Sequence, residues 1–111
     1  MAKKKPRIFI SGPMTGYAKY NFPKFDLWEK KLAKMGWDPV NPARISRRYK
    51  AVDIENNRHV FERMIEEQLV ELRRCQAILL FNGWWASVGA KRELAVALAM
   101  NLEIIPEDSY T

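Results

Sequence analysis

Five consecutive apolar residues, Ala77-Ile-Leu-Leu-Phe81, stand between Gln76 and Asn82-Gly83. So short a run without polar alternation reads as a strand covered on both faces, as in a parallel sheet held between helices. The rest of the chain meets that demand. Arg7-Ile-Phe-Ile-Ser11 is a second β-rich run, stopped by Gly12-Pro13. Trp37-Asp-Pro-Val40 and Leu102-Glu-Ile-Ile105 are shorter ones, closed by Asn41-Pro42 and Pro106. Between them the apolar period lengthens to that of helices. Phe25, Trp28, Leu32 and Met35 recur at helical spacing after Asn21-Phe-Pro23, with Asn21 as the expected N-cap and Gly36 as the stop. Phe61, Met64, Ile65, Leu69, Leu72 and Cys75 mark a helix beginning near Asn57, and Ser87 is the expected N-cap of another running to about Asn101. Residues 43–56 are polar and aperiodic and read as loop. Strand and helix alternate throughout, which predicts an α/β fold: a parallel sheet of about four to five strands with helices on both faces.

A chain of 111 residues with 48% apolar content is one domain, expected over residues 7–111 behind a basic, disordered tail at 1–6. A lone cysteine excludes an internal disulfide framework and a cysteine zinc cluster, and a lone histidine, His59, argues against a histidine metal site or a Ser-His-Asp triad. No metal and no cofactor is expected. Neither Ala77–Phe81 nor Leu94–Met100 approaches the ~20 apolar residues of a membrane span, and no apolar stretch follows the Lys-rich start, so a cytoplasmic location without membrane contact is expected. The net charge of +6 is uneven. Lys3, Lys4, Lys5 and Arg7 precede the first strand, and Arg44, Arg47, Arg48 and Lys50 fall in one loop, leaving eleven basic and thirteen acidic residues elsewhere. The loop is either a solvated segment or a place that meets phosphate. A sustained basic face with interleaved aromatics is missing, so nucleic acid is not the expected partner.

In a parallel α/β sheet, ligands lie beyond the carboxyl ends of the strands, where the strand order switches. The loops beginning at Gly12, Asn41 and Asn82 fall there. In the third, Ser87 offers a hydroxyl beside the free N–H groups of a helix start, and Gly89 permits close approach. Glu93 follows with Gly89, Ala90 and Ala97 as its helical neighbours, so it is either an exposed edge residue or an acid lining a pocket. Gly12-Pro-Met-Thr-Gly16 is neither a dinucleotide fingerprint nor a P-loop. Gln68 falls in the middle of an apolar stripe, where an amide must be hydrogen-bonded; it either ties down a loop or reaches the site. Glu66, Glu67 and Glu71 read as a solvated edge, and His59 as a surface residue at a helix start. Trp84 and Trp85 suit a base, an interface or the core, with the core expected for at least one.

These motifs carry a resemblance. Ile8-Phe-Ile-Ser-Gly-Pro-Met-Thr-Gly16, Asn21-Phe-Pro23, Val40-Asn-Pro42, Gly83-Trp84 and Ser87-Val-Gly-Ala90 with Glu93 resemble a phage and bacterial domain family. That family is similar to the nucleoside 2-deoxyribosyltransferases and the deoxynucleoside 5′-monophosphate N-glycosidases. The resemblance spans Arg7 to Ile105 and implies a flavodoxin-like (Rossmann-like) sheet and cleavage or exchange at the N-glycosidic bond of a nucleoside or nucleotide. It implies Glu93 as nucleophile on the anomeric carbon, with the two-step logic of retaining glycosidases. By the same resemblance Ser87 and Gly89 hold the 5′ side, Gly12, Met14 and Gly16 line the base pocket, and Asn41 sits at its edge. Asn82, Gly83 and Trp84 complete the substrate-binding set. A homodimer or higher oligomer is implied, some relatives borrowing site residues from a neighbouring subunit. The chain departs from the family at two aspartates eight residues apart, where it has Gln68 and Gln76. Gln68 stands at the position of an acid that assists the chemistry, and glutamine keeps hydrogen bonds but cannot ionise. The alternative is therefore a nucleotide-binding protein of the same fold that senses or sequesters without turnover.

Overall fold

In the computed structural model, which describes residues 4–111, four strands form one parallel sheet. They are β1 (Arg7–Ser11), β2 (Asp38–Val40), β3 (Ala77–Leu80) and β4 (Glu103–Pro106). Their order is β2-β1-β3-β4, so the chain steps outward on one side of β1 and then on the other. The fold is thus α/β and consistent with a flavodoxin-like arrangement. The helices are α1 (Phe22–Lys34), α2 (Pro42–Ser46), α3 (Ala51–Asn56), α4 (Arg58–Leu72) and α5 (Val88–Ala99), with short 3₁₀ turns at 18–21, 84–86 and 107–110.

Every residue of β3 is buried, as its unbroken apolarity requires. Period-2 alternation then divides the core into two layers. Ile8, Ile10, Ala77 and Leu79 face α1 through Phe25, Trp28 and Leu32. Phe9 and Ile78 face the other way, against Met64, Ile65, Leu69 and Leu72 of α4 and Ala97 of α5. Each buried leucine or phenylalanine in these layers removes enough surface to contribute roughly 1.5–3 kcal/mol.

Several local expectations change. Residues 43–56 hold α2 and α3 instead of loop. Asn41 caps α2, its Oδ1 accepting from Ala43 N at 2.9 Å with Pro42 in the first turn, and the arginines that made the stretch look aperiodic point outward to carboxylates. Arg44 pairs with Glu29 at 2.7 Å, Arg48 with Glu67 at 2.8 Å, and Arg47 with Asp26. These guanidiniums hold the Asp26 and Glu29 carboxyls below their usual range. Asn21 does not cap α1: it sits in the left-handed region (φ 62°) after Lys19 and Tyr20, also left-handed, and its Nδ2 donates to Pro13 O at 3.0 Å. Met35, counted on the apolar stripe of α1, is exposed, and neither Trp84 nor Trp85 enters the core. Those two rings meet edge to face, 6.1 Å between centroids. Of the expected disordered tail, residues 1–3 lie outside the described residues. Residues 4–6 are exposed, yet the Pro6 carbonyl accepts from Asp38 N at 2.8 Å. No helix among the described residues is long and apolar enough to cross a membrane.

Candidate functional site

Beyond the carboxyl ends of β1 and β3, where the strand order switches, lies a cavity of about 500 Å³. Its wall comes from four segments: residues 12–17 after β1, Pro42 at the start of α2, one face of α4, and residues 86–93 leading into α5. Two other hollows open on the surface, but they are lined by exposed and ion-paired side chains. One runs along the β2 edge past Arg7, Arg44, Arg48 and Arg74, and the other lies at the amino end of the sheet around Lys4, Lys5 and Gln76. Only the first of the three encloses a buried acid.

That acid is Glu93. Its residue is 6% exposed, on the second turn of α5 between the small neighbours that the sequence places around it. Ser11, at the carboxyl end of β1 and fully buried, donates its hydroxyl to Glu93 Oε1 at 2.6 Å. Oε2 has no protein partner among the described residues, and no buried side-chain oxygen or nitrogen there lacks one, so Oε2 meets the cavity. Burial disfavours the charged form and lifts the carboxyl from its ordinary 4.5 to about 8, while the Ser11 hydrogen bond pulls the other way. No lysine, arginine, histidine or second acid lines the cavity. Glu93 therefore holds its proton at neutral pH and releases it in mildly alkaline solution.

Gln68 faces Glu93's cavity from α4 and is also buried. Its Nε2 donates to Ser46 Oγ at 3.0 Å and approaches Pro42 O at 3.5 Å. The sequence left open whether Gln68 fastens a loop or reaches the site, and it does both. Since Pro42 O can only accept, the amide nitrogen is turned toward α2 and the carbonyl oxygen toward the cavity. Gln76 lies at the opposite end of the sheet, where its Oε1 accepts from Arg7 N at 2.7 Å. It serves the backbone of β1, far from the cavity.

Ser87 caps α5, accepting from Ala90 N at 3.1 Å, which leaves the Val88 and Gly89 N–H groups without intrahelical partners at the cavity wall. Apart from its chain neighbours and the backbone of its own helix, a Cβ on Gly89 would meet nothing nearer than Ser87 Oγ at 4.0 Å, so the space beside it is cavity. Gly12 differs. A Cβ there would fall 2.5 Å from the Phe81 ring and 2.7 Å from the Phe81 Cβ, so the glycine permits close approach of two strand ends. Gly16 adopts φ 86°, which turns the loop back over the cavity, and Met14 packs beneath it with Ser46 Oγ 3.9 Å from its sulfur.

Of the residues singled out in the sequence, Gly12, Met14, Gly16, Gln68, Ser87, Gly89 and Glu93 come together on this wall. Asn41, Asn82, Gly83 and Trp84 do not line it. Asn41 is spent on capping α2 and on Asp26 and Glu29 (2.9 and 3.0 Å). Asn82 is bound to Glu107 and Asp108, each at 2.9 Å. Gly83 (φ 89°) backs the hydroxyl of Tyr17. The wall also includes Tyr17, Phe61, Met64 and Ile65, which the sequence reading assigned to loop or core. They are contributed by a turn and a helix some forty residues apart, and no spacing within either segment announces that they share a surface. No group of histidine, cysteine or acidic residues among those described is arranged to hold a metal ion.

The chain belongs to a family described as a domain of unknown function (DUF4406), whose model matches residues 6–106. No curated protein matches it.

Proposed function

We propose that this DUF4406 protein cleaves, or exchanges the base at, the N-glycosidic bond of a (deoxy)nucleoside or its 5′-monophosphate, with Glu93 as nucleophile. The observation that carries the reading is a single buried carboxyl with one oxygen tethered and the other open to a cavity at the switch point of the sheet. In the reaction the ionised Glu93 attacks the anomeric carbon as the carbon–nitrogen bond breaks, and the departing base takes up a proton. Water or a second base then displaces the carboxylate from the sugar. The apolar and aromatic side chains of Met14, Tyr17, Phe61, Met64 and Ile65 suit the flat face of a base. The open N–H groups at the start of α5, with Ser87, suit oxygen atoms on the 5′ side. The Gln68 carbonyl accepts from a sugar hydroxyl without ionising. The reading includes a homodimer or higher assembly in the cytoplasm, for which exposed Trp85 and Val88 near the cavity mouth supply apolar surface.

A second reading, nucleotide binding without turnover, is favoured by one feature: Gln68 is neutral and no other acid lines the cavity to assist Glu93. One experiment separates the two. Purified protein is incubated with a panel of deoxynucleosides and their 5′-monophosphates, with and without free bases, and released base is followed by chromatography. The enzyme reading expects release that is lost in Glu93→Gln and whose kcat/KM rises with pH through about 8, the range in which Glu93 ionises. Release at an equal rate in Glu93→Gln refutes the nucleophile. Tight binding by calorimetry with no release from any member selects the second reading.

A further inference from the structure

Ser11 is the only buried polar residue of β1, following Ile8, Phe9 and Ile10, all fully buried. By the alternation of the strand its side chain shares the face of Phe9, toward α4 and α5. Its backbone is pinned: Phe81 N donates to Ser11 O at 2.8 Å, Ser11 stands in register with Leu80, and Gly12 beside it lies against the Phe81 ring. A hydroxyl held this firmly has one side-chain partner, Glu93 Oε1, across 82 residues of chain. For folding alone, apolar side chains would serve better at both positions, since a buried carboxyl costs more than the hydrogen bond returns.

We propose that Ser11 is a positioning residue for the reaction at Glu93: its hydroxyl fixes which carboxylate oxygen faces the cavity and stabilises the ionised form that attacks. The proposal rests on the nucleophile reading of Glu93. A carboxylate gripped at one oxygen cannot rotate freely about its terminal bond, so Oε2 keeps one direction into the cavity. The donated hydrogen bond also strengthens when Glu93 carries charge. Among the described residues no other group donates a hydrogen bond to the Glu93 carboxyl. α4 presents Gln68 among Phe61, Met64 and Ile65, β3 presents apolar residues, and the turn at 84–86 carries no charge. Lys91 and Arg92 of α5 are exposed, and the Tyr17 hydroxyl is the one other ionisable group on the wall. Burial sets the direction of the shift at Glu93, and Ser11 is the one residue that opposes it.

The test is a carbon-13 titration of the Glu93 carboxyl by NMR, its resonance assigned by loss in Glu93→Gln, in the wild type, Ser11→Ala and Ser11→Cys. Removing the donor is expected to raise the carboxyl's pKa by about one to two units. Ser11→Cys, a weaker donor of nearly equal size, falls between and keeps the ordering testable if the alanine variant is poorly folded. Base release at pH 7 is expected to drop roughly ten- to hundredfold in Ser11→Ala and to recover as the pH is raised through 9, because at neutral pH the rate follows the ionised fraction. A merely structural role lowers release equally at every pH and leaves the titration in place. A Glu93 pKa unchanged in both variants overturns the proposal, whatever the activity. If the wild type releases no base, the catalytic half of the proposal falls with the nucleophile reading, and the titration still decides whether Ser11 governs the carboxyl.

Discussion

Replacing Glu93 by glutamine is expected to stabilise the protein in alkaline solution and to leave it nearly unchanged in acid. The folded state holds the Glu93 proton up to about pH 8, whereas the unfolded chain releases it near 4.5. The carboxyl is thus raised on folding. Between those two values the folded state binds more protons than the unfolded one, and stability falls as pH rises, by up to ~1.4 kcal/mol per pH unit. Across the whole interval the loss approaches ~5 kcal/mol, an upper bound because Oε2 opens on the cavity and is not sealed in protein. Against the total of about 5–15 kcal/mol expected for a domain of this size, that is a large part. Glutamine is neutral at every pH and keeps an oxygen to accept from Ser11. Urea unfolding of both proteins at pH 5.5, 7 and 8.5, with the slope against denaturant checked for constancy, measures the difference. The two are expected to differ by about 1.4 kcal/mol at pH 5.5 and by several at 8.5. Asp26 and Glu29 titrate below this window and Cys75, whose thiol burial pushes up to about 12, above it in the folded state. All three are common to both proteins. Parallel stability profiles from pH 5.5 to 8.5 would refute the argument that Glu93 is buried at a cost.

Two more predictions separate scaffold from cavity. Asn41→Ala removes the α2 cap and the bonds to Asp26 and Glu29, and is expected to cost ~1–2 kcal/mol in denaturation. Nucleotide affinity measured by calorimetry should stay within threefold, and a larger loss would return Asn41 to the binding wall. Gly89→Leu is expected to leave the unfolding free energy within ~1 kcal/mol, because helix propensity improves and, outside its chain neighbours and its own helix backbone, its Cβ meets nothing closer than 4.0 Å. The same change should abolish nucleotide binding by filling the cavity, and unaltered affinity would place the ligand elsewhere.

The two central strands were legible in the sequence because each is built on a short apolar run whose flanking residues cannot extend it, as Ala77–Phe81 between Gln76 and Asn82 illustrates. Glu93 and Gln68 were legible for a related reason. A polar side chain on an apolar helical stripe breaks the period, and the small neighbours of Glu93 leave it room. The residues that escaped notice lack such a local signature. Ser11 ends a strand, where a serine is unremarkable until α5 is folded against it. Tyr17 and Phe61 acquire a common surface only through the crossover that brings the β1 loop over α4. α2 and α3 were hidden because short helices have too few turns to show a period, although Asn41-Pro42 carried the same cap-and-proline signal that was read at Asn21-Phe-Pro23. At Asn21 that signal misled, since the chain arrives there through two left-handed residues, Asn21 is itself left-handed, and its side chain is drawn to Pro13 instead.

The contact between Gly12 and Phe81 has a consequence for how chains built on this backbone can vary. Because the obstruction at position 12 includes the Cβ of residue 81, 2.7 Å away, trimming the ring to leucine or alanine does not remove it. Position 12 is closed to every side chain as long as residue 81 carries a Cβ, while 81 can change its size wherever Phe25 and Trp28 fill the space, both of which pack on its ring. Two residues in direct contact are thus expected to drift independently, one invariant and the other free. Methods that infer proximity from correlated substitution would find no trace of this contact just beyond the ends of β1 and β3.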